Sequence, residues 1–167
     1  RPKMNCIDLY QIHRWDFTTP LEEILQGLDS LVRSGKVRYL ANEQGWRRSV
    51  TMQNYYNLIC REKVREMNPL CIDQGVALIP WSPLARGYFA GNRQRESGTV
   101  TIKRAEMDAF AHNNYFRKND FVVAATVEKV AEQRGVTPTQ VACAWILQPP
   151  GVTAPIIGAT KIHHLEE

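Results

Sequence analysis

The first forty residues alternate apolar stretches with polar turns in the order strand, loop and helix. Residues 7–12 are mostly apolar and β-favouring, which predicts a short, mostly buried strand that delivers His13 to the polar turn behind it. Thr19, Pro20 and Glu22 form a helix-start signal with Thr19 as the N-cap and Glu22 completing a capping box. A histidine at the exit of a buried strand is a candidate for chemistry.

The alternation of predicted strands and helices continues, except that one helix is missing from the pattern. Apolar residues at spacings of three and four predict an amphipathic helix over residues 20–34, ended by Gly35. Residues 37–40 then predict a second strand, parallel to the first. The next predicted strand, 50–52, follows too soon, because residues 41–49 are polar and lack an amphipathic pattern. A crossover helix is therefore expected to be missing here.

The second part of the chain continues the alternation of predicted helices and strands. Helical character returns over residues 61–73, where Asn68 is predicted to cap a new turn, and residues 76–81 predict another buried strand. The irregular stretch 92–118 is predicted to be a functional lid. Two further helices are predicted at residues 119–134, with Asn119 as cap, and 137–148, where Thr137 and Gln140 form a capping box. A last strand is predicted at residues 154–157. The repetition indicates an α/β fold.

Composition and charge narrow the class of protein. With 44% hydrophobic and 23% charged residues, the chain is typical of one soluble globular domain. The net charge of +4 is scattered, so no nucleic-acid partner is predicted. No apolar run has transmembrane or signal-peptide character, which predicts a cytoplasmic protein with no membrane partner. The four cysteines lack metal or disulfide spacing, which predicts free thiols and no metal site.

The segment after the last predicted strand has the features of a phosphate site. Gly158 allows close backbone approach, Thr160 offers a hydroxyl, and Lys161 supplies a cation at the start of a helix. In barrels of alternating strands and helices, phosphate sites recur in the loops after the last two strands. An ordinary helix cap with a surface lysine explains the same residues equally well, so both interpretations stay open.

Five segments carry a resemblance to a known family: residues 7–16, 35–39, 52–57, 79–87 and 155–161. In that order, and through nearly the whole chain, they strongly resemble the aldo-keto reductases, in particular the branch of fungal and bacterial aryl-alcohol dehydrogenase-like enzymes. The resemblance implies an incomplete (β/α)8 TIM barrel, corresponding to roughly the second half of the barrel, in a single partial domain over residues 1–167.

The resemblance also implies a function. It implies NADP(H) as cofactor and hydride transfer between nicotinamide and a small carbonyl or alcohol substrate, such as an aryl aldehyde or a secondary-metabolite intermediate. His13 corresponds to the histidine that hydrogen-bonds the substrate carbonyl, Gln53 to the residue that holds the nicotinamide carboxamide, and Trp81 to the ring stacked on the nicotinamide. The implied pyrophosphate loop contains Ser82, Pro83, Leu84 and Gly87. The implied adenosine-phosphate end contains Gly158, Thr160, Lys161, His164 and Glu167, with Lys161 favouring NADP over NAD.

The family pattern contains catalytic residues that this chain lacks. The family's acid is a tyrosine whose pKa is lowered by a lysine, which an aspartate supports, and all three lie in early strands and loops. The chain begins at Arg1, just before what resembles the fourth strand, and stops at Glu167 within a predicted helix, so both ends are expected to be cuts. A partner chain could complete the barrel. The alternative function is a catalytically inactive remnant that at most binds nucleotide or a partner subunit.

Overall fold

The computed structural model describes residues 5–13, 16–40, 50–90, 114–159 and 161–166. The polar segment 41–49, most of the predicted lid, Thr160 and Glu167 lie outside the described residues. In chain order the elements are β1 (Ile7–Tyr10), α1 (Leu21–Arg33), β2 (Val37–Leu40), β3 (Thr51–Met52), α2 (Met67–Asp73), β4 (Ala77–Leu78), α3 (Lys118–Arg134), α4 (Pro138–Leu147) and α5 (His163–Glu166). Short 3-10 segments lie at Glu62–Val64 and Ala85–Ala90.

The first three elements form the predicted strand, helix and strand unit. β1 and β2 pair in parallel, with Ile7 opposite Val37. The amphipathic face of α1 packs on this pair, and Leu28 and Val32 form one buried cluster with Val37. A parallel pair joined by a helix is the arrangement that the apolar spacing predicts.

The predicted burial of β1 is wrong. Ile7 is 42% exposed and Leu9 is 37% exposed. Tyr10 and Ile12, at the carboxyl end of the strand, pack against the α1 cluster. Within the described part of the chain, Ile7 and Leu9 are not buried members of that cluster, although Val37, which lies opposite Ile7 on β2, is one. The apolar sequence alone did not establish which strand residues the helix covers.

The predicted N-cap of α1 is also wrong. Pro20 is the N-cap, and no side chain caps the first turn. The Thr19 hydroxyl instead donates to the Asp16 carboxylate at 2.7 Å, and Thr18 donates to it through its backbone N–H at 2.9 Å and its hydroxyl at 2.7 Å. A carboxylate forms stronger, charge-assisted hydrogen bonds than a neutral backbone group does. Asp16 therefore competes successfully for the threonine hydroxyl.

These hydrogen bonds predict an unusually acidic Asp16. The hydroxyl of Thr19, followed by the groups of Thr18, lowers the pKa of Asp16 from 3.8 to about 2. Since the pKa is lower in the folded state, the contribution to stability is present above pH 3.8 and is lost as pH falls towards 2. We expect Thr19→Val to raise the Asp16 pKa, measured by carboxyl 13C NMR, while Thr153→Val leaves it unchanged. An Asp16 titrating near 3.8 in the native protein would contradict this account.

The second sheet is built from β3, β4 and an extended segment near the carboxyl terminus. β3 and β4 pair in parallel, with Met52 opposite Leu78. The predicted last strand is present only as isolated parallel bridges, from Leu78 to Val152 and from Trp81 to Ile156. Pro155 lacks a backbone N–H and interrupts the ladder between these bridges. The segment nevertheless keeps the direction of a third parallel strand.

The larger core lies between this sheet region and the helices α3 and α4. Its buried members are Leu58, Ala85, Tyr88, Phe89, Tyr115, Ala124, Val127 and Ala142. The predicted capping box of α4 is confirmed: the Thr137 hydroxyl accepts from the Gln140 N–H at 3.2 Å, and the Gln140 side chain accepts from the Thr137 N–H at 3.0 Å. None of the helices in the described ranges is long and apolar enough to cross a membrane.

Two predicted helix starts are displaced. Asn68 lies inside α2 rather than capping it, because its side-chain oxygen accepts a hydrogen bond from the buried Asn54 side chain at 2.9 Å. At α3 the N-cap is Arg117 rather than Asn119, because the Asp120 carboxylate reaches back to the Arg117 N–H at 2.9 Å. In both cases a nearby polar partner, rather than capping propensity, decides where the helix begins.

Candidate functional site

The carboxyl ends of three parallel segments are aligned at one edge of the second sheet. Parallel bridges join Tyr55 to Trp81 and Trp81 to Ile156. The Trp81 N–H donates to the Asn54 carbonyl at 2.9 Å, and the Ile156 N–H donates to the Pro80 carbonyl at 2.8 Å. Residues that follow parallel strands meet at the edge where those strands end. We call this region the carboxyl edge; it comprises residues 53–57, 81–87 and 156–159.

Two aromatic rings stack at the carboxyl edge. The rings of Tyr55 and Trp81 lie 4.3 Å apart between centroids, with an interplanar angle of 18°. The Tyr55 hydroxyl donates to the hydroxyl of Tyr115, which is buried in the core. Because Tyr55 is held at its hydroxyl end, its ring supports a defined orientation of Trp81.

The loop after Trp81 follows an unusual backbone path. Ser82, Ala85 and Arg86 have φ values of 55°, 48° and 57°, and Gly87 has a φ of 92°. Left-handed conformations cost non-glycine residues roughly 1–2 kcal/mol each. Hydrogen bonds from the Ala85 N–H to the Ser82 carbonyl and from the Gly87 N–H to the Leu84 carbonyl, both 3.0 Å, hold this path. Strain of this kind concentrates at functional sites, where surrounding contacts fix it.

Asn57 joins the loops that follow β3 and β4. It is fully buried. Its side-chain nitrogen donates to the Ser82 carbonyl at 3.0 Å and to the Tyr115 hydroxyl at 3.4 Å. Its side-chain oxygen accepts from the N–H groups of Ile59 and Cys60 at 3.0 and 2.8 Å. The amide therefore bonds on both sides and fixes the distance between the two loops.

The half-buried Tyr55 and the buried Tyr115 are poor proton donors. Burial raises the pKa of the Tyr55 phenol above its ordinary value. Burial, together with the neighbouring Tyr55 hydroxyl, raises the pKa of Tyr115 further. A tyrosine that acts as a general acid near neutral pH needs a lowered pKa. Tyr55 and Tyr115 are therefore suited to hold neighbouring groups in place rather than to deliver a proton.

The structure brings part of the predicted site together. Gln53 is exposed two residues before Tyr55, which is bridged to Trp81, and the predicted loop residues Ser82, Pro83, Leu84 and Gly87 follow Trp81 directly. Gly158 is exposed two residues after the bridge at Ile156. These predicted residues thus share the carboxyl edge. Their roles remain predictions, since alignment at one edge is a condition for a shared site and not a measurement of binding.

Other predicted site residues lie apart from this edge or beyond the description. His13 is exposed at the exit of β1, which belongs to the first sheet, whereas the carboxyl edge belongs to the second sheet. Lys161 and His164 are exposed at the beginning of α5. Thr160 and Glu167 lie outside the described residues. Within those residues, no three histidine, cysteine or acidic side chains are grouped so that they could hold a metal ion.

Sequence reasoning missed the hydrogen-bonding cluster of Tyr55, Asn57 and Tyr115. The only local signal was a polar asparagine between aromatic and aliphatic residues in the loop after β3. Tyr115 gave no signal, because it follows a long irregular stretch and lies 58 positions from Asn57. Contacts between residues so far apart along the chain produce no periodic pattern in the sequence.

Comparison with known proteins gives one consistent family. A model described as the aldo/keto reductase family matches residues 1–167. A versiconal hemiacetal acetate reductase from Aspergillus parasiticus is 37% identical over 185 residues, covering 96% of this chain and 51% of that protein. A Schizosaccharomyces pombe relative whose name includes aryl-alcohol dehydrogenase is 36% identical over 177 residues, covering 96% of this chain and 53% of that protein.

A solved structure agrees with these relatives. The glycerol dehydrogenase of Gluconobacter oxydans matches with a TM-score of 0.76 and 26% identity, over 96% of this chain and 52% of that one. The chain thus spans about half the length of the relatives it matches. The alignment of 185 positions with the Aspergillus protein exceeds the 167 residues of this chain, so parts of that relative have no counterpart here.

Proposed function

Because this chain belongs to the aldo/keto reductase family, we propose that it supplies the nucleotide-binding part of an NADP(H)-dependent oxidoreductase. In this proposal, residues 1–167 form a single partial domain that corresponds to roughly the second half of a (β/α)8 barrel. The reaction is hydride transfer between nicotinamide and a small carbonyl or alcohol substrate. An aryl aldehyde or a secondary-metabolite intermediate is the proposed substrate class, in keeping with the names of the relatives.

One observation carries the proposal: the aligned register of Tyr55, Trp81 and Ile156. It places the ends of three parallel segments side by side, so that Gln53, Trp81 and the residues leading to Gly158 share one edge. In α/β folds, ligands bind outside the carboxyl ends of the strands. The register therefore supports a binding site at the place where the family resemblance puts the nucleotide.

The residues present are chemically suited to a dinucleotide. Trp81 offers a flat ring whose orientation Tyr55 supports, and Gln53 offers an exposed amide that can both donate and accept hydrogen bonds. Lys161 is exposed and forms no ion pair with another described residue, so its charge is available for a phosphate. When bound, NADPH supplies the hydride. His13 would donate a hydrogen bond to the substrate carbonyl and orient it.

The preference for the phosphorylated nucleotide is predicted to depend on Lys161. We expect Lys161→Ala to weaken NADPH binding about tenfold at low salt, since a charge-assisted hydrogen bond to a phosphate is lost. NADH binding should change little, because NADH lacks the additional phosphate. Calorimetric titration of both nucleotides measures the difference.

Lys36→Ala is the matched control for this experiment. Lys36 is also exposed, and it lies in the turn before β2, in the first sheet rather than at the carboxyl edge. Its removal should leave both affinities unchanged. Equal weakening of NADPH and NADH by Lys161→Ala would contradict a role in recognising the additional phosphate.

The proposed reaction is tested by incubating the protein with NADPH and an aromatic aldehyde and following the loss of NADPH absorbance. Oxidation of NADPH that depends on the aldehyde, with formation of the corresponding alcohol, is the expected result. A protein that binds neither NADPH nor NADP in calorimetry would overturn the proposed function.

A second candidate function is nucleotide binding without catalysis. The observation in its favour is that burial raises the pKa of Tyr55 and of Tyr115, so neither tyrosine is suited to deliver a proton near neutral pH. This candidate predicts calorimetric binding of NADPH together with no turnover of any carbonyl. Aldehyde-dependent NADPH oxidation that requires His13 would rule it out.

A further inference from the structure

Asn57 occupies a position at which every hydrogen-bonding group of its side chain is used. The residue is fully buried. The side-chain oxygen accepts two backbone hydrogen bonds within its own loop, from Ile59 and Cys60. The side-chain nitrogen donates across the molecule, to Ser82 and to Tyr115. A buried amide satisfied on both sides fixes the relative position of the groups it joins.

One of these bonds is made where the strained loop begins. Ser82 is itself in the left-handed region, with a φ of 55°, and its carbonyl accepts from both Asn57 and the Ala85 N–H. The left-handed residues Ala85 and Arg86 follow. A loop in this conformation needs contacts that hold it, and the Asn57 amide supplies one from outside the loop.

The other bond connects Asn57 to the stacked rings. Tyr115 accepts from Asn57 and from Tyr55, and the Tyr55 ring stacks on Trp81. The Tyr115 hydroxyl is thus the common acceptor for the loop contact and the ring contact. A change at Asn57 or at Tyr55 is therefore expected to alter both the loop contact and the ring contact.

We propose that Asn57 is a positioning residue that, with Tyr115, holds the loop 82–87 and the Trp81 ring in the arrangement that binds the dinucleotide. The inference rests on the proposed function, because it assigns the purpose of the contact to nucleotide binding. Asn57 acts through Ser82 and Trp81 and is not assigned a contact with the nucleotide. Pre-organisation of this kind raises affinity by reducing the cost of ordering the loop.

Asn57→Asp tests the donating nitrogen of the side-chain amide separately from its accepting oxygen. Aspartate keeps the shape and the oxygen that accepts from Ile59 and Cys60, and it replaces the nitrogen that donates to Ser82 and Tyr115 with an acceptor. The aspartate oxygen that replaces the nitrogen and the Ser82 carbonyl oxygen are both acceptors, and they then lie opposite each other. We expect the dissociation constant for NADPH in calorimetry to rise about tenfold, while the number of binding sites per chain stays unchanged.

Tyr115→Phe is the second variant, and it decides the question if the aspartate variant does not fold. It removes one hydroxyl, keeps the ring in the core, and should weaken NADPH binding in the same direction. Tyr10→Phe is its control, since Tyr10 is partly buried against Leu28 and Val32 and lies outside the carboxyl edge. Tyr10→Phe should leave the dissociation constant unchanged.

The outcomes separate this inference from the proposed function. If the wild-type protein does not bind NADPH, the proposed function fails and the inference fails with it. If the wild type binds and both variants bind equally well, only the inference fails. A purely structural role would reduce the number of binding sites and the melting temperature while leaving the dissociation constant unchanged, and that result would also overturn the inference.

Discussion

Phe89→Ala is expected to lower the free energy of unfolding by about 3–5 kcal/mol, because it leaves a ring-sized cavity in a closely packed core. Phe89 is completely buried in the larger core, and its ring contacts Tyr88 edge to face at a centroid distance of 5.8 Å. Domains of ordinary stability have about 5–15 kcal/mol in total. Urea unfolding followed by circular dichroism should show a large shift of the midpoint.

Phe17→Ala is the matched control for the cavity. Phe17 is 90% exposed, so the same change of side chain removes almost no buried area. Its effect should stay within about 0.5 kcal/mol. Equal effects at positions 17 and 89 would mean that the Tyr88 and Phe89 cluster does not form the core of the folded protein.

His13→Ala is expected to lower kcat for carbonyl reduction about 100-fold or more, since a hydrogen-bond donor aimed at the developing charge on oxygen is lost. His13 is exposed at the exit of β1, so the substitution should leave the melting temperature unchanged. NADPH binding, measured by calorimetry, should also remain. The expected combination is therefore intact binding with lost turnover.

His163→Ala is the control for that experiment. His163 is an exposed histidine on α5, and the family resemblance assigns it no role. Its kcat should equal that of the wild type. If His13→Ala leaves kcat unchanged in an active protein, the assignment of His13 to the reacting oxygen is wrong.

Two helix starts show how much local sequence can predict. The start of α4 agrees with the prediction, and the start of α1 does not. At α4 the side chains of Thr137 and Gln140 each accept from the other residue's backbone N–H, and the predicted capping box forms. At α1 the same kind of signal fails, because Asp16 takes the Thr19 hydroxyl. Propensity is a weak preference, and a single charge-assisted hydrogen bond outweighs it.

The candidate site was predictable to different degrees. The order of strands and loops, together with the family resemblance, predicted Gln53, Trp81 and the loop that follows as site residues, and their roles stay predictions. It did not identify Asn57 or Tyr115, whose importance comes from contacts across the fold. Nor did it predict that Ser82 and Arg86 adopt left-handed conformations, which cost energy locally and persist only because distant groups hold them.

The sequence by itself determined the family, the order of the elements and the amphipathic face of α1, because each depends on motifs or spacings between near neighbours. The tertiary structure alone decided the alignment of Tyr55, Trp81 and Ile156, the exposure of β1, and the cluster centred on Tyr115. The physical reason is the distance along the chain over which each feature is determined. Periodicity encodes which residues face a core, whereas register and buried hydrogen bonds depend on which distant segments the folded chain brings together.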